Sequence, residues 1–561
     1  MKMSTFKRIV CLMLALVMVF ALAACGGKTN DNAGTTTGGN DTKDNSSVND
    51  EITSGGNRDT DATIEDSGAN ADTEASISVG ANTAGFLGHF DVSGLFSSEL
   101  AAVATALVYD QLFSIGSDGR WYSDILTDWH WSDEVENQLV LTLKDNIVFS
   151  NGDPMTMEDV LYSMNRVAQS PRGGTNFAVI NLDECTISDD GLTLYVQYNT
   201  SYGPWQSALN IYIMNEDFVE GLGENPDWYS IDSACGSGPY TCTDNTIGIS
   251  MSFEKRDDWW MQDEANGSAT VKDITAYSYS DNTTMMADYM NGVIDIAIGL
   301  TADDCTEISA DSSLGTYATV SSKAVAVIVL SPQCELLKNE NIRKAMCIGT
   351  DSDAIGDIVY GVLGQPATST LNSSNPYYVD GHSYEYNPEE AKKLVEESGV
   401  ENPTLTFVTN NQSSSTTLAE SFQYYMQQIG ITVNIESYDN ATYVADYLMQ
   451  GKTDLMINGA AMPTVTNEAA DVYTFYRGNF AYPSSAQTDP EIVDLLEKGR
   501  TTVDEEERAQ IYSDVQDYFY NAYSLIPIAE WYTAYAYNTR ISYCDIPVTM
   551  SPSLRYVAVA G

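Results

Sequence analysis

The residues that most often carry out chemistry do not fall into catalytic spacings in this chain of 561 residues. No H-E-x-x-H pair is present to hold a hydrolytic zinc ion, and no Gly-x-Ser-x-Gly turn is present to expose a nucleophilic serine. The 79 acidic residues make neighbouring carboxylates abundant by number alone, so such a pair does not by itself indicate acid–base catalysis. The sequence therefore predicts no enzyme, no metal site and no cofactor. The histidines are far apart in the chain: His89, His130 and His382.

Two short segments imitate ligand-binding loops without completing them. Gly27-Lys28-Thr29 ends like a phosphate loop, but Leu22 stands where that motif requires its first glycine. Residues 351–356 begin like a calcium loop, but Ile355 occupies a position that requires an oxygen ligand. We interpret Asp351 as the start of a helix.

Seven cysteines lie beyond the N-terminal region, and their odd number leaves at least one unpaired. No C-x-x-C pair occurs, which gives a structural zinc site little support. Cys235 and Cys242 are close enough in sequence to form a disulfide, and buried thiols are the alternative. The seven are Cys185, Cys235, Cys242, Cys305, Cys334, Cys347 and Cys544.

The N-terminus has the order of a secretory signal. Basic residues at Lys2, Lys7 and Arg8 precede sixteen uninterrupted apolar residues at 9–24, fewer than the roughly 20 that a membrane-spanning helix needs. Small residues then lead directly into Cys25, which resembles the lipobox of bacterial lipoproteins. We expect a signal peptide at 1–24 and a lipid on Cys25. The alternative is an ordinary secretion signal followed by a chance cysteine.

Residues 25–83 have the composition of a flexible tether. Gly, Thr, Asn, Asp and Ser dominate, and no aromatic residue occurs until Phe86. Such a segment buries too little apolar area to offset its ordering entropy. We therefore expect the folded part of the chain to be residues 84–561.

The charge balance excludes several partners. Lys and Arg total 26 against 79 acidic residues, for a formal net charge of -53. Sequence-independent nucleic-acid binding needs a basic surface, and so does polybasic attachment to anionic lipid. A content of 43% hydrophobic and 10% aromatic residues nevertheless allows a large core. The composition is that of a globular protein with an acidic surface.

Strand-like and helix-like segments alternate along the folded part. We predict strands near 139–144, 294–298, 404–409 and 431–435. We predict helices beginning after Thr156, at Asn282 and at Pro388, and another near 418–428. This alternation predicts α/β lobes.

Several blocks, in order, resemble the family 5 extracellular solute-binding proteins, the peptide- and nickel-binding components of ABC importers. The most informative is Val148-Phe149-Ser150-Asn151-Gly152-Asp153-Pro154, and another is Gly236-Ser237-Gly238-Pro239-Tyr240. No single block is decisive, but several in register are specific. The other blocks are 108–113, 128–129, 141–143, 158–160, 256–260, 290–295, 342–345, 387–391 and 526–527.

The resemblance implies an α/β fold of the type II periplasmic-binding-protein kind, with two lobes, a hinge and an extra subdomain. By analogy, lobe I takes residues 84–116, 235–330 and 524–561. The extra subdomain takes 117–234, and lobe II takes 331–523. Paired crossover strands join the lobes, and the ligand is enclosed between them.

The resemblance also points to candidate ligand-binding residues. In peptide-binding members an aspartate of lobe II captures the amino terminus of the ligand, whereas ungapped counting places Thr466 there and Asp471 nearby but out of register. Arg477 is a candidate for a ligand carboxylate or an ordinary surface arginine. Trp531 and Tyr532 are candidates for stacking on a ligand or for core packing.

The resulting functional hypothesis is a monomeric, lipid-anchored binding protein on the outer face of a bacterial cell membrane. It would capture a peptide or other small solute and deliver it to an ABC permease with its ATPase subunits. The alternatives are a surface sensor or chaperone-like lipoprotein that presents a ligand, and an extracellular hydrolase.

Overall fold

A computed structural model describes residues 72–82, 89–93, 105–115, 121–170, 177–262, 271–331, 334–439, 442–443, 447, 455–458, 490–544 and 554–561. The strands are β1 Ser76–Asn82, β2 Ser114–Ile115, β3 Trp121–Tyr122, β4 Leu126–Trp131, β5 Gln138–Leu143, β6 Thr186–Ile187, β7 Thr193–Gln197, β8 Tyr240–Thr246, β9 Ser250–Lys255, β10 Asp273–Tyr279, β11 Ile296–Ile298, β12 Thr316–Leu330, β13 Gly364–Pro366, β14 Thr404–Asn410, β15 Thr432–Tyr438, β16 Leu455–Asn458, β17 Leu525–Tyr537, β18 Ile541–Cys544 and β19 Val557–Val559.

The α-helices with both ends in these ranges are α1 Met157–Gln169, α2 Trp205–Ala208, α3 Glu216–Gly221, α4 Asn282–Met290, α5 Ala302–Ala310, α6 Glu340–Ile348, α7 Ser352–Tyr360, α8 Pro388–Glu397, α9 Ser413–Gln428, α10 Pro490–Thr501 and α11 Glu505–Asn521. Short 3₁₀ turns occur at Phe177–Val179, Leu182–Glu184, Ile231–Ser233, Ser312–Leu314, Leu336–Lys338, Gly361–Leu363 and Leu554–Tyr556.

Local sequence signals set several of these elements. Thr156 and Asp159 form the capping box that starts α1, and the Asp159 carboxylate also accepts a hydrogen bond from the Glu216 N–H at 2.8 Å. Burial nevertheless raises the pKa of the Asp159 carboxyl. Asp351 caps α7, and Asn387 caps α8, whose first residue is Pro388. The predicted strands and helices are found, although α9 begins at Ser413, before the predicted residue 418.

One eleven-stranded sheet runs through most of the described structure, in the order β15-β14-β16-β12-β17-β11-β1-β10-β9-β8, with β13 paired to β17. The antiparallel strands β12 and β17, of fifteen and thirteen residues, lie in the middle of this order. β16 pairs with one end of β12, and β11 pairs with β17 at the opposite end of the ladder. The two long strands therefore connect two sets of strands into one sheet. A separate four-stranded sheet contains β4, β5, β7 and β6.

Buried apolar residues fall into cores on either side of the paired strands. Two clusters lie around β1, β8–β11 and α4–α5, and they include Val79, Phe253 and Met285. Two others lie around β13–β15, α6–α9 and α11, and they include Phe407 and Phe519. A fifth cluster belongs to the four-stranded sheet and α1. This arrangement corresponds to two lobes and an extra subdomain, the α/β architecture that the resemblance implied.

The prediction that a polar tether extends to residue 83 is wrong at its C-terminal end. β1 pairs in parallel with β10 on one side and with β11 on the other, so it is an interior strand of lobe I. Ile77, Val79 and Ala81 alternate with Ser76 and Ser78, and the three apolar side chains are buried. Lobe I therefore includes residues 72–82 in addition to the segments predicted for it.

Candidate functional site

The two lobes meet where the pairing of β12 with β17 is interrupted. The register shifts between Ser321 and Val325, so residues 322–324 bulge out of the ladder. Lys323 takes up a left-handed backbone conformation there, with φ +56°, and its side chain is buried. The Ser322 hydroxyl donates a 2.6 Å hydrogen bond to the carbonyl of Trp531 on β17. We call residues 322–324, together with Trp531, the hinge.

A buried carboxylate lies next to the hinge on the lobe II side. Glu530 is 2% exposed, and it accepts hydrogen bonds from the Gln365 amide at 2.7 Å and the Asn372 amide at 3.1 Å. The backbone N–H and the hydroxyl of Ser373 donate to the same carboxylate at 2.7 and 2.8 Å. Four donors therefore fasten the segment around residues 365–373 to β17. Nothing in the local sequence pattern distinguishes Glu530 from the other acidic residues, so its role is visible only in the folded structure.

The two aromatic candidates beside Glu530 are placed differently. The Trp531 ring is buried in the lobe II core and stacks on Tyr360, with ring centroids 5.7 Å apart and an interplanar angle of 6°. This is core packing, one of the two alternatives for Trp531. Tyr532 is only partly buried, and burial raises the pKa of its hydroxyl. It stays a candidate for contact with a ligand.

The lobe II sheet ends at a place suited to ligand binding. β14 lies between β15 and β16 and is parallel to both, so the carboxyl ends of the three strands meet at one edge. Helix α9 leads from β14 to β15, while β16 lies on the other side of β14. In open α/β sheets, ligands bind at such an edge, where connections diverge to opposite sides. The predicted ligand residues Thr466, Asp471 and Arg477 follow β16 but lie outside the described residues, as does Cys25.

Among the described residues, the extra subdomain packs tightly against lobe II around Gly203. The Gly203 N–H donates a 2.8 Å hydrogen bond to the Arg500 carbonyl, and the Arg500 guanidinium lies 5.3 Å from the ring centre of Tyr202. A Cβ atom on Gly203 would lie 2.5 Å from the Thr502 carbonyl oxygen and 2.7 Å from the Arg508 guanidinium. Only glycine allows this approach. We call the contact of Tyr202 and Gly203 with the α10–α11 connection the subdomain latch.

Lobe I and the extra subdomain are joined by a buried arginine. Arg256 is 6% exposed and donates to the carbonyls of Gly238 and Phe149, both at 3.1 Å. Gly238 in turn packs so closely that a Cβ atom would lie 2.5 Å from the Leu107 carbonyl oxygen. This contact explains, in structural terms, the Gly-Ser-Gly-Pro-Tyr block and the arginine that follows it. Trp260, which belongs to the block 256–260 together with Arg256, donates through its indole N–H to the Asp110 carboxylate at 3.0 Å.

The described residues contain no group of three or more His, Cys, Asp or Glu side chains that could hold a metal ion. Cys235 and Cys242 are separate thiols and not a disulfide, and burial raises the pKa of the Cys242 thiol to about 12. Within the same part of the chain, none of the helices is long and apolar enough to cross a membrane.

Comparisons with known proteins agree with this architecture. The model of bacterial extracellular solute-binding proteins, family 5 Middle, matches residues 120–482. The periplasmic oligopeptide-binding protein OppA of Haemophilus influenzae is 24% identical over an alignment of 434 residues, and the match covers 69% of this chain and 76% of that protein. The nickel-binding protein NikA of Staphylococcus aureus is 22% identical over 72% of this chain and 79% of that protein.

A solved structure shows the same fold. The ABC transporter substrate-binding protein CtaP of Listeria monocytogenes superimposes with a TM-score of 0.75 at 22% identity. The match covers 87% of this chain and 100% of CtaP. At this identity the match establishes the two-lobed fold, and the ligand of this chain must be argued from its own residues.

Proposed function

Because the chain belongs to the family 5 bacterial extracellular solute-binding proteins, we propose that it is the lipid-anchored binding protein of an ABC importer for oligopeptide-like solutes. Members of this family are transport binding proteins and not enzymes, in agreement with a sequence that predicts no catalytic site. The solute would be held between the lobes and handed to a permease that works with its ATPase subunits. Cys25 would carry the lipid on the outer face of the cell membrane, and the protein would act as a monomer.

The observation that carries this proposal is the way the two lobes are connected. Only β12 and β17 run through both sheets, within the part of the chain described, and their ladder is interrupted at the hinge. Rotation there moves the lobes as bodies without breaking either core, which is how two-lobed binding proteins close on a ligand. A peptide suits the space between such lobes, because its main chain can be held in an extended form while its side chains vary.

The relatives support a peptide more than a metal. OppA of Haemophilus influenzae is named for oligopeptides, and the dipeptide-binding protein DppE of Bacillus subtilis is 21% identical over 447 residues. NikA is named for nickel. The histidines described here are spread over distant positions, and His382 is engaged with the Asp517 carboxylate at 2.9 Å. We therefore propose peptides as the solute class.

Native mass spectrometry of the protein purified from producing cells tests this proposal. We expect an additional mass that fragments as one peptide or a family of short peptides. The protein should also be stabilised against heat when random-sequence tetrapeptides are added back after their removal, because a ligand that binds only the folded state raises its stability. Stabilisation by nickel but by no peptide would contradict the proposal, and turnover of an added peptide would indicate a hydrolase instead.

A further inference from the structure

The bulge at the hinge takes backbone groups out of the β12–β17 ladder, and nearby side chains bind them instead. The Ser321 hydroxyl accepts a hydrogen bond from the Lys323 N–H at 3.1 Å. The Ser322 hydroxyl accepts one from the Ala324 N–H at 3.3 Å, and it donates to the Trp531 carbonyl on β17. Buried backbone groups are nearly always paired, so these side chains make the bulge a defined part of the fold.

Asn372 pairs with a further backbone group of the bulge. Its side chain is 2% exposed, and its amide nitrogen donates to the Ala324 carbonyl at 3.3 Å. The same nitrogen donates to the Glu530 carboxylate on β17 at 3.1 Å. The amide oxygen accepts from the Ser321 hydroxyl at 3.5 Å. One buried side chain therefore contacts both crossover strands at the point where their ladder is interrupted.

The distances indicate which contacts of Asn372 are the weaker ones. Its amide oxygen accepts from the N–H and the hydroxyl of Ser374 at 3.0 and 2.6 Å, and its bond to Glu530 is also of ordinary length. The contacts with Ala324 and Ser321 are at the long end of the hydrogen-bond range. Asn372 is therefore fixed to lobe II, and rotation of the lobes would break its contacts with β12 first.

The same arrangement of the lobes makes the subdomain latch. In it the Gly203 N–H donates to the Arg500 carbonyl, which brings the extra subdomain against lobe II. The contacts of Asn372 with β12 and the contacts of the latch are thus made together. Each of them favours this closed arrangement over one in which the lobes are rotated apart.

We propose that Asn372 is a positioning residue for solute capture, which sets the closing equilibrium at the hinge without touching the solute. The proposal rests on the function proposed above, because closure affects affinity only if the solute binds between the lobes. The hydrogen bonds of Asn372 are internal to the protein and do not depend on the side chains of the solute. A change at Asn372 therefore alters the affinity for different peptides by the same factor.

Calorimetric titration of the delipidated full-length protein and hydrogen exchange of its ligand-free form test this role. The probes are one pool of neutral and one pool of basic random-sequence tetrapeptides. We expect Asn372→Ala to bind each pool about ten-fold more weakly, because the closed form becomes less populated. The backbone amides of residues 321–325 should exchange faster in this variant, because the bulge is held less firmly.

A second buried asparagine in the same segment provides the matched control. The Asn375 amide oxygen accepts a hydrogen bond from the Tyr377 N–H at 2.9 Å, within lobe II. Asn375→Ala should lower the unfolding temperature, leave both affinities within about two-fold, and leave exchange at residues 321–325 unchanged. If Asn372→Ala does not fold, Ser321→Ala tests the same contact from β12, at a partly buried position. It should weaken binding about three-fold and speed exchange at the bulge.

The outcomes separate this proposal from the function on which it rests. Equal losses of affinity in Asn372→Ala and Asn375→Ala would assign Asn372 to the stability of lobe II and overturn the proposal. Unchanged exchange at residues 321–325 would also overturn it, and so would unequal losses for the two pools, which would indicate direct contact with the solute. If the unmodified protein binds neither pool, the proposed function fails, while hydrogen exchange still decides whether Asn372 holds the hinge.

Discussion

At the scale of single residues, the Glu530 carboxylate beside the hinge is a buried charge held by several hydrogen bonds. A buried carboxylate is costly unless donors surround it, and this one accepts from Gln365, Asn372 and Ser373. The Glu530 carboxylate therefore holds the segment around residues 365–373 against β17 through these hydrogen bonds. Its role depends on contacts more than 150 residues apart in sequence, which no local pattern reports.

Replacing this carboxylate should destabilise lobe II. Glu530→Ala leaves several buried donors without an acceptor, and we expect the free energy of unfolding to fall by about 2–4 kcal/mol. Chemical denaturation followed by tryptophan fluorescence measures the change. Glu401→Ala, at an exposed position, is the matched control and should change the free energy by less than about 0.5 kcal/mol. Equal effects from the two substitutions would show that the Glu530 contacts contribute little.

Residue roles were the least predictable part of the sequence. From the sequence alone, Trp531 is a candidate both for stacking on a ligand and for core packing. Its stacking on Tyr360 in the folded structure shows that it packs in the core. Arg256 and Gly238 lie in sequence blocks that resemble the family 5 solute-binding proteins. Their roles could not be predicted, because their contacts join segments that are distant in the chain. Thr466, Asp471, Arg477 and Cys25 stay predictions.

At the scale of elements, the sequence predicted those with strong local signals. The capping box of α1 and the Asn-Pro start of α8 mark their helices plainly. β1 was missed because its three buried residues alternate with Ser and Gly and directly follow a long polar segment. The first turn of α9 was missed because its serines have low helix propensity in isolation, and burial against the sheet overrides that preference.

Truncation tests the place of β1. A chain that starts at residue 72 should unfold cooperatively at nearly the temperature of the longer mature chain. A chain that starts at residue 84 should fail to fold, because β10 and β11 would lose the strand between them. Circular dichroism and size-exclusion chromatography report both outcomes. A soluble, cooperative chain from residue 84 would show that β1 is dispensable for lobe I.

The subdomain latch should affect ligand affinity without touching the ligand. Gly203→Ala places a methyl group against the Thr502 carbonyl and the Arg508 guanidinium, so the extra subdomain must move away from lobe II. We expect the apparent affinity for random-sequence tetrapeptides to fall about ten-fold, because the closed form becomes less populated. Gly221→Ala, where a Cβ atom meets nothing within 4 Å, is the matched control. Unchanged affinity in Gly203→Ala would mean that the latch does not contribute to closure.

At the scale of the whole molecule, the fold class was predictable, whereas the lobe connectivity came only from the resemblance. Alternating strands and helices indicate α/β lobes, but they do not reveal that one chain crosses between two sheets more than once. The crossover strands β12 and β17 are separated by nearly two hundred residues, and their pairing is a tertiary property. The net charge of -53 constrains partners and not the fold.

Membrane attachment is a whole-molecule property that depends on one residue. If Cys25 carries the lipid, Cys25→Ala should release the protein from the membrane fraction into the medium. Cell fractionation followed by immunoblotting measures the distribution. The original chain, processed in the same cells, is the control. Full retention of Cys25→Ala in the membrane fraction would contradict lipid anchoring at this position.

Small-angle X-ray scattering tests most directly whether this protein captures its solute by closing two lobes about the hinge. The measurement compares the delipidated protein alone with the same protein in a saturating tetrapeptide pool. Calorimetry first establishes that this pool binds. A population shift toward the closed form predicts a smaller radius of gyration with peptide. An unchanged radius at full occupancy would contradict capture by hinge closure.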